Sequence, residues 1–391
     1  MDALSEVLAI PESEKATRGL THTPAEIAQQ PATWESTAAL FRRRRSEIKD
    51  FLSSVGVGSK SRVFLVGAGT SDYVGQSLAY LLRRKWKCEV VVVPSTDLLT
   101  HMDQLIIPGD RHLWISFSRS GDSPEGVAVL KNALNNHPDV RHLIVCCNAN
   151  GRMVKDIAGR SQGLSICLDD AVNDRGLAMT SSFSNMVVFG QCLAHADDLD
   201  EYEEILQRLV RAGKSFLPIA ADGAAELAKG SFTKACFVGS GPLKAVARES
   251  ALKLLELTAG KILTMSESAL GLRHGPMAAL DKETLFVCFL SGDRRIQRYE
   301  KDLLEEIGNK RLVRSRIVVA GDDACGRTAF GEGCLAPAVP FAAPDDYRPP
   351  LDAILGQLLG LFFSLRWNLQ PDCPSPNGAI SRVVQNVSIH A

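Results

Sequence analysis

The sequence predicts an α/β protein built from parallel sheets with helices on both faces, a three-layer αβα arrangement. Short apolar runs alternate with segments of helical periodicity from about residue 62 onward, which is the pattern of consecutive β-α-β units. Hydrophobic residues make up 45% of the chain and charged residues 23%, the balance of a globular protein with a large core. A length of 391 residues suggests about two domains.

An internal repeat supports two similar domains. VFLVGAG near Gly67 matches ACFVGSG near Gly239, a shift of 172 positions. WISFSRSGD near Gly121 resembles VCFLSGD near Gly292, a shift of 171 positions. A nearly constant offset over two motifs predicts that one α/β unit was duplicated.

The first elements expected along the chain are N-terminal. Residues 1–22 lack a clear period and are expected to be irregular. Thr23, Pro24 and Glu26 then predict a helix start, with Thr23 as N-cap and Glu26 completing a capping box. A second helix is expected over about 34–55.

The repeating part follows this helical extension. The expected strands of the first copy are VFLVGAG, CEVVVVP, LWISFS and HLIVCCN, and the helices between them include SDYVGQSLAYLLRRK and PEGVAVLKNALNNH. A mostly charged helical stretch is expected at about 197–215, and the alternation resumes with CFVGSGPLKAVARESALKLLEL. The predicted divisions are an N-terminal helical extension (1–55), two α/β domains (56–215 and 216–370) and a C-terminal active-site tail (371–391).

Charge and cysteine usage exclude several classes of protein. The net charge of −1 gives no basic surface for nucleic acid or anionic membrane. No apolar run reaches the roughly 20 residues that span a bilayer, and the N-terminus lacks the layout of a secretory signal. The ten cysteines contain no CxxC pair, and the eight histidines form no cluster. We therefore expect a cytoplasmic protein with reduced thiols, without a metal, and without nucleic acid or membrane partners.

Two polar loops follow strands of the first copy. GAGTS contains Gly67 and Gly69, but its next glycine, Gly75, is too distant for a dinucleotide fingerprint. What remains is a tight turn at the carboxyl end of a strand, with Thr70 and Ser71 entering a helix. Ligands of open parallel sheets bind at that edge.

The second loop, SRSGDS, combines hydroxyls with a helix N-terminus. Ser123 and Pro124 fit the N-cap and the first helical position, and Ser118 and Ser120 precede them. Hydroxyls and free N–H groups at such a point can bind an anion, although a capped polar turn is the simpler alternative. In the second copy Ser118 becomes Phe289 and Ser123 becomes Arg294. One principal anion site is therefore expected, in the first copy.

Candidates for proton transfer occur in the second copy. Glu249 and Glu256 are seven apart and share a helix face, and Lys253 can pair with Glu249. Glu256 has apolar neighbours, and a carboxylate in dry surroundings is readily protonated and can shuttle a proton. A surface glutamate on an amphipathic helix is the alternative. His274 in GLRHGP lies in a glycine- and proline-bounded loop, where a histidine is commonly just solvated.

Taken together, these motifs resemble a known family over about residues 23–391. GAGTS, SFSRSGDSPE, NDRGLAMTSS, GSGPLKAVARESALKLLELTAGK, GLRHGP and RVVQNVSIH, in that order, resemble the double SIS-domain (sugar isomerase) proteins. Within these the chain is most similar to the galactosamine-6-phosphate deaminase/isomerase family, also known as tagatose-6-phosphate ketose/aldose isomerase. It is more distantly similar to the isomerase half of glucosamine-6-phosphate synthase. The resemblance implies two tandem SIS domains.

The resemblance also implies site residues. The phosphate is implied to bind at Ser71, Ser118, Arg119, Ser120 and Ser123. The sugar is implied to contact Gly69, Thr70, Leu177, Met179 and Arg382, although Met179 replaces a serine of the relatives and Arg382 only loosely matches a C-terminal lysine. Glu256 matches the carboxylate that moves a proton between carbons one and two. His274 matches the ring-opening histidine, which in the synthase relatives comes from the neighbouring subunit.

The reaction implied is aldose–ketose isomerisation with deamination of an amino-sugar phosphate, most simply galactosamine 6-phosphate to tagatose 6-phosphate and ammonia. No metal or organic cofactor is implied, because the substrate's carbonyl supplies the acidity. A homodimer with a shared active site is implied by the exchanged histidine. Plain sugar-phosphate isomerisation, glucosamine-6-phosphate deamination and a non-catalytic sugar-phosphate-sensing regulator stay open as alternatives.

Overall fold

The computed structural model describes residues 1–321, 333–385 and 387–390, and Asn386 of the RVVQNVSIH motif lies outside them. The chain forms two compact units. The first-sheet unit consists of Ala32–Asp174, Ser181–Glu204 and the tail from Ile380. The second-sheet unit consists of Met1–Pro31, Arg175–Thr180 and Ile205–Ala379. The domain divisions 56–215 and 216–370 stay predictions.

The first-sheet unit contains a five-stranded parallel sheet in the order β2-β1-β3-β4-β5. Most strand positions are buried, because helices cover the sheet and leave little room for polar side chains. The elements assigned to this unit are α4 (Gln30–Val55), β1 (Ser61–Gly67), α5 (Thr70–Trp86), β2 (Glu89–Pro94), α6 (Ser95–Leu105), β3 (Arg111–Ser118), α7 (Pro124–Asn136), β4 (Val140–Cys146), α8 (Arg152–Ile157), β5 (Gly163–Cys167) and α9 (Ser181–Ala194).

The second-sheet unit repeats this topology. Its parallel strands lie in the order β10-β9-β8-β6-β7, so the first strand of each copy pairs with the second and third in the same way. The predicted α/β class and the predicted duplication are therefore confirmed. The elements are α10 (Leu199–Ala228, which begins in the first-sheet unit), β6 (Lys234–Gly239), α11 (Pro242–Leu257), β7 (Leu263–Ser268), β8 (Thr284–Phe289), α12 (Arg294–Asn309), β9 (Ser315–Val319), β10 (Cys334–Leu335) and α13 (Pro349–Arg366).

Helices α11 and α12 cover opposite faces of the second sheet. The β6–α11–β7 and β8–α12–β9 connections run in opposite directions across the strand order, and right-handed crossovers then place their helices on opposite faces. Side chains of one face, including Cys236 and Cys288, form a core with Leu272 and with Leu303 and Leu304 of α12. Helix α11 contacts β6 and β7 from the other face.

The N-terminal expectations need correction. Residues 1–22 are not irregular, because they contain α1 (Ala3–Leu8) and α2 (Glu12–Arg18). Helix α3 (Thr23–Ala28) begins as expected, but His22 is its N-cap and the capping box is not formed. The Glu26 carboxylate instead accepts hydrogen bonds from the backbone N–H groups of Arg175 and Gly176. The Glu26 carboxylate therefore binds a loop that is distant in sequence instead of capping its own helix.

The described cysteines differ in their oxidation state. Of the cysteines that the structure describes, eight are free, six of them buried, whereas Cys334 is in a disulfide, so the expectation of reduced thiols is wrong at that position. Among the described residues, no helix is both long enough and apolar enough to cross a membrane.

Candidate functional site

The SRSGDS loop of the first-sheet unit folds into a turn in which its serines accept hydrogen bonds. Ser118 is the last residue of β3, and its Oγ accepts from the N–H of Gly121 at 2.9 Å. Ser120 Oγ accepts from the N–H of Asp122 at 3.1 Å. Ser123 Oγ accepts from the N–H of Gly126 at 3.3 Å and caps α7, with Pro124 at its first position, as predicted.

These acceptor roles leave hydroxyl donors available. Within the described part of the chain, the hydroxyls of Ser118, Ser120 and Ser123 accept hydrogen bonds but donate none. Ser118 and Ser120 are less than a tenth exposed. An anion at this point would receive oriented O–H donors together with the partial positive charge of the N-terminus of α7. We call Ser118, Ser120 and Ser123 the anion turn.

The GAGTS turn lies at the same edge of the same sheet. Strand β1 pairs in parallel with β3, so both polar loops follow carboxyl ends of neighbouring strands. Gly69 adopts φ 56° and ψ −126°, a conformation that strongly favours glycine, and α5 begins directly after it. Thr70 and Ser71 are buried in the first turn of that helix. The two loops therefore supply hydroxyls from two adjacent strand ends, as the sequence predicted.

Arg119 and Arg382 are brought together within this unit. The guanidinium of Arg119, which is 6% exposed, donates to the backbone carbonyl of Arg382. Arg382 in turn donates to the carbonyl of Asp174 at 2.7 Å and to the side chain of Asn173 at 2.8 Å. The C-terminal tail is thereby attached to the residue that lies between Ser118 and Ser120.

Glu256 lies in the second-sheet unit, in the last turn of α11, within an ion triad. Lys253 Nζ lies 2.6 Å from Glu256 Oε2 and 3.6 Å from Glu249 Oε1. The side chains of Lys253 and Glu249 are 1% and 0% exposed, whereas that of Glu256 is 24% exposed. The predicted pairing of Lys253 with Glu249 is confirmed. The expected dry surroundings of Glu256 are wrong, because its carboxylate is partly solvated and bound by an ammonium.

Among the described residues, no hydrogen bond or ion pair joins the side chains of His274 and Glu256. His274 is exposed and follows a short 3-10 helix, Gly271–Arg273. The preceding Leu272 packs on the face of the second sheet that α12 covers, whereas Glu256 belongs to α11 on the opposite face.

Leu177 and Met179 belong to a short segment of the second-sheet unit, Arg175–Thr180. Leu177 is buried, and its N–H donates to the backbone carbonyl of Asp372 at 3.0 Å. The carboxylate of Asp372 accepts from the N–H and the hydroxyl of Thr23 at 2.7 and 2.8 Å. Asp372 therefore ties this segment to the N-terminal helices. Sequence reasoning missed Asp372 and gave Glu26 the wrong partner, since the partners of both are over a hundred residues distant.

In the residues that the structure describes, no group of three or more His, Cys, Asp or Glu side chains is placed to hold a metal ion.

Comparison with known proteins adds the family. The SIS domain model matches residues 58–196. A protein of Escherichia coli named D-galactosamine-6-phosphate deaminase AgaS is 32% identical over 381 residues, covering 95% of this chain and 96% of that one. A Streptomyces coelicolor protein that carries the same name in provisional form is 37% identical over 377 residues, covering 95% of each chain.

A solved structure is similar over nearly the same length. The crystal structure of tagatose-6-phosphate ketose/aldose isomerase from Escherichia coli is 29% identical, with a TM-score of 0.85, and the match covers 94% of this chain and 96% of that one. This chain therefore belongs to the SIS-domain family that includes the proteins named D-galactosamine-6-phosphate deaminase AgaS.

Proposed function

We propose that this protein is a phosphosugar isomerase and deaminase that converts galactosamine 6-phosphate to tagatose 6-phosphate and ammonia. The observation that carries the proposal is the anion turn, whose buried or partly buried hydroxyls donate no hydrogen bond among the described residues. The names of the similar proteins support the choice of substrate and of reaction.

In this proposal the phosphate is the anchor. Ser118, Ser120 and Ser123 donate hydrogen bonds to its oxygens. Ser71 adds a further donor, and the guanidinium of Arg119 adds a positive charge. Gly69 and Thr70 line the sugar, as do Leu177 and Met179, and the tail residue Arg382 orients Arg119. Binding energy from the phosphate then positions carbons one and two, which carry out the chemistry.

The proton transfer is assigned to Glu256 acting on the same substrate molecule. His274 assists ring opening. The carboxylate of Glu256, oriented by Lys253 at 2.6 Å, removes the proton from carbon two, which is acidic because it is next to the aldehyde. Return of that proton to carbon one leaves a carbon–nitrogen double bond at carbon two. Water hydrolyses this imine, so that a ketose phosphate and ammonia are formed. No cofactor takes part in these steps.

We further propose a cytoplasmic homodimer in which His274 is supplied by the neighbouring subunit. The resemblance to the synthase relatives supports this exchange, and among the described residues no hydrogen bond or ion pair joins Glu256 to His274. The carbon–nitrogen cleavage by water makes the enzyme a hydrolase as well as an isomerase. Sugar phosphate is its partner, and the net charge of −1 supports the absence of nucleic acid and membrane partners.

The test is an assay of ammonia release with galactosamine 6-phosphate, alongside glucosamine 6-phosphate and interconversion of tagatose 6-phosphate with its aldose. The proposal expects ammonia from galactosamine 6-phosphate at the highest kcat/KM, and a raised KM in Ser120→Ala. Preference for glucosamine 6-phosphate would correct the epimer. Isomerisation without any ammonia would favour the plain isomerase. Binding of all three without turnover would favour a sugar-phosphate-sensing regulator.

A further inference from the structure

The second-sheet unit contains a turn equivalent to the anion turn. Ser291 and Gly292 follow β8 as Ser120 and Gly121 follow β3, at the repeat shift of 171. Ser291 Oγ accepts from the N–H of Asp293 at 3.0 Å, as Ser120 Oγ does from Asp122 at 3.1 Å. The second copy has therefore lost two of its three hydroxyls but keeps the central one, in the same local geometry.

A carboxylate of the same unit occupies this second turn. The hydroxyl of Ser291 donates to Asp345 Oδ2, and the N–H of Gly292 donates to Asp345 Oδ1 at 2.8 Å. Arg348 Nη1 lies 3.3 Å from the same Oδ1. The Asp345 carboxylate thus accepts from a hydroxyl, a backbone amide and a guanidinium, the set of donors that a phosphate oxyanion uses in proteins.

The donors behind Asp345 are fixed in the fold. Arg348 is 1% exposed, and it also donates to the carbonyl of Leu290 and, at 2.7 Å, to Asp352. Ser291 is likewise 1% exposed. Gly292 and Asp293 are exposed, so that the turn borders solvent. The guanidinium, the hydroxyl and the amide would therefore stay in place for an anion arriving from solvent.

Two further acids face the turn. The Glu300 carboxylate accepts from the N–H of Ser291 at 2.8 Å, and burial raises its pKa, which reduces its negative charge. Burial also raises the pKa of Asp352 to about 6, although the Arg348 guanidinium opposes this. Of the three carboxylates, Asp345 is the one that accepts from the Ser291 hydroxyl, the Gly292 amide and the Arg348 guanidinium.

We propose that the Ser291–Gly292 turn is a second anion-binding turn whose donors are occupied by the Asp345 carboxylate. Removing this carboxylate would then leave a phosphate-binding site in the second-sheet unit. The inference uses the contacts of that unit alone and does not depend on the reaction proposed above. It explains why a duplicated fold that keeps the central serine would anchor phosphate through only one of its two copies.

The test compares the wild type with Asp345→Ala by equilibrium dialysis against labelled inorganic phosphate. The variant is expected to bind one more phosphate per chain than the wild type. Asp302→Ala, which removes an exposed carboxylate from α12 of the same unit, is the matched control and is expected to bind as the wild type does. The added phosphate is expected to disappear again in Asp345→Ala/Ser291→Ala.

The extra phosphate bound by Asp345→Ala distinguishes the second site from the anion turn of the first-sheet unit. Ser120→Ala should reduce phosphate binding in either background without removing the increment that Asp345→Ala adds. Equal phosphate binding by Asp345→Ala and Asp302→Ala would overturn the proposal. If Asp345→Ala fails to fold, Asp345→Ser takes its place, and phosphate should then raise its Tm more than that of the wild type. An equal rise in both would overturn the proposal as well.

Discussion

Removal of the Lys253 ammonium is expected to destabilise the protein through Glu249 rather than through Glu256. Both carboxylates pair with Lys253, but the side chain of Glu249 is 0% exposed and that of Glu256 is 24% exposed. In Lys253→Met, the partly exposed carboxylate of Glu256 can be hydrated. The carboxylate of Glu249 stays buried in the core and loses the positive charge of Lys253.

The size of the effect follows from this burial. Breaking a buried ion pair by removing one partner costs about 3–5 kcal/mol, whereas a partly exposed pair contributes roughly 0–1 kcal/mol. Lys253→Met is therefore expected to lower the free energy of unfolding by about 3–5 kcal/mol. Adding Glu249→Gln removes the buried negative charge and is expected to recover most of that loss.

The measurement is urea unfolding of the wild type, both single variants and the double variant, followed by a double-mutant cycle. Lys244→Met is the matched control, since Lys244 pairs with Glu267 in the same unit at 2.9 Å with side chains 32% and 29% exposed. Its expected cost is below about 1 kcal/mol. The reasoning is refuted if Lys253→Met costs no more than Lys244→Met, or if Glu249→Gln gives no recovery.

Three further predictions concern the turns, the core and the subunits. Gly69→Ala and Gly241→Ala should each lower the free energy of unfolding by about 1–3 kcal/mol in urea melts. Both glycines have φ 56°, which strains an alanine, and no described atom would crowd the added Cβ, so the cost comes from the backbone. A loss in only one of the two variants would contradict the equivalence of the two turns. Burial lowers the pKa of His142 to about 4, so the folded state binds fewer protons than the unfolded state. The free energy of unfolding should fall by ~3 kcal/mol as pH drops from about 6.5 to 4. If a His142→Phe variant lost stability with pH as steeply as the wild type, the loss would not come from His142. Mixed Glu256→Gln and His274→Asn subunits should regain part of the activity that each lacks alone, whereas verified mixed dimers without activity would contradict exchange of His274.

The repeating strands were predictable because their signal is local. Buried parallel strands are short apolar runs, and VFLVGAG and ACFVGSG end in glycines that the structure places in the same backbone conformation, φ 56° at Gly69 and Gly241. The cap of α7 by Ser123 is equally local, since its acceptor and donor are three residues apart. Such short local patterns are enough to predict at which edge of the sheet the serine and threonine hydroxyls lie.

Contacts between distant residues were not predictable in this way. Glu26 satisfies a local capping pattern, yet its carboxylate binds backbone amides about 150 positions away, and Thr23 binds Asp372. Asp345 is 54 residues from Ser291, and its sequence context gives no sign that it fills a turn. Glu256 was expected to be dry from its leucine neighbours. Leu254 and Leu257 are buried, but Leu255 and Glu256 itself are partly exposed.

The most direct test of the central claim is to measure, in Glu256→Gln, both turnover and binding of galactosamine 6-phosphate. In the proposed mechanism the anion turn anchors the phosphate and Glu256 transfers the proton. Turnover should therefore fall by a factor of about 10²–10⁴ or more, while the Kd for the sugar phosphate stays within a few-fold of the wild type. Near-normal ammonia release by this variant would contradict the account.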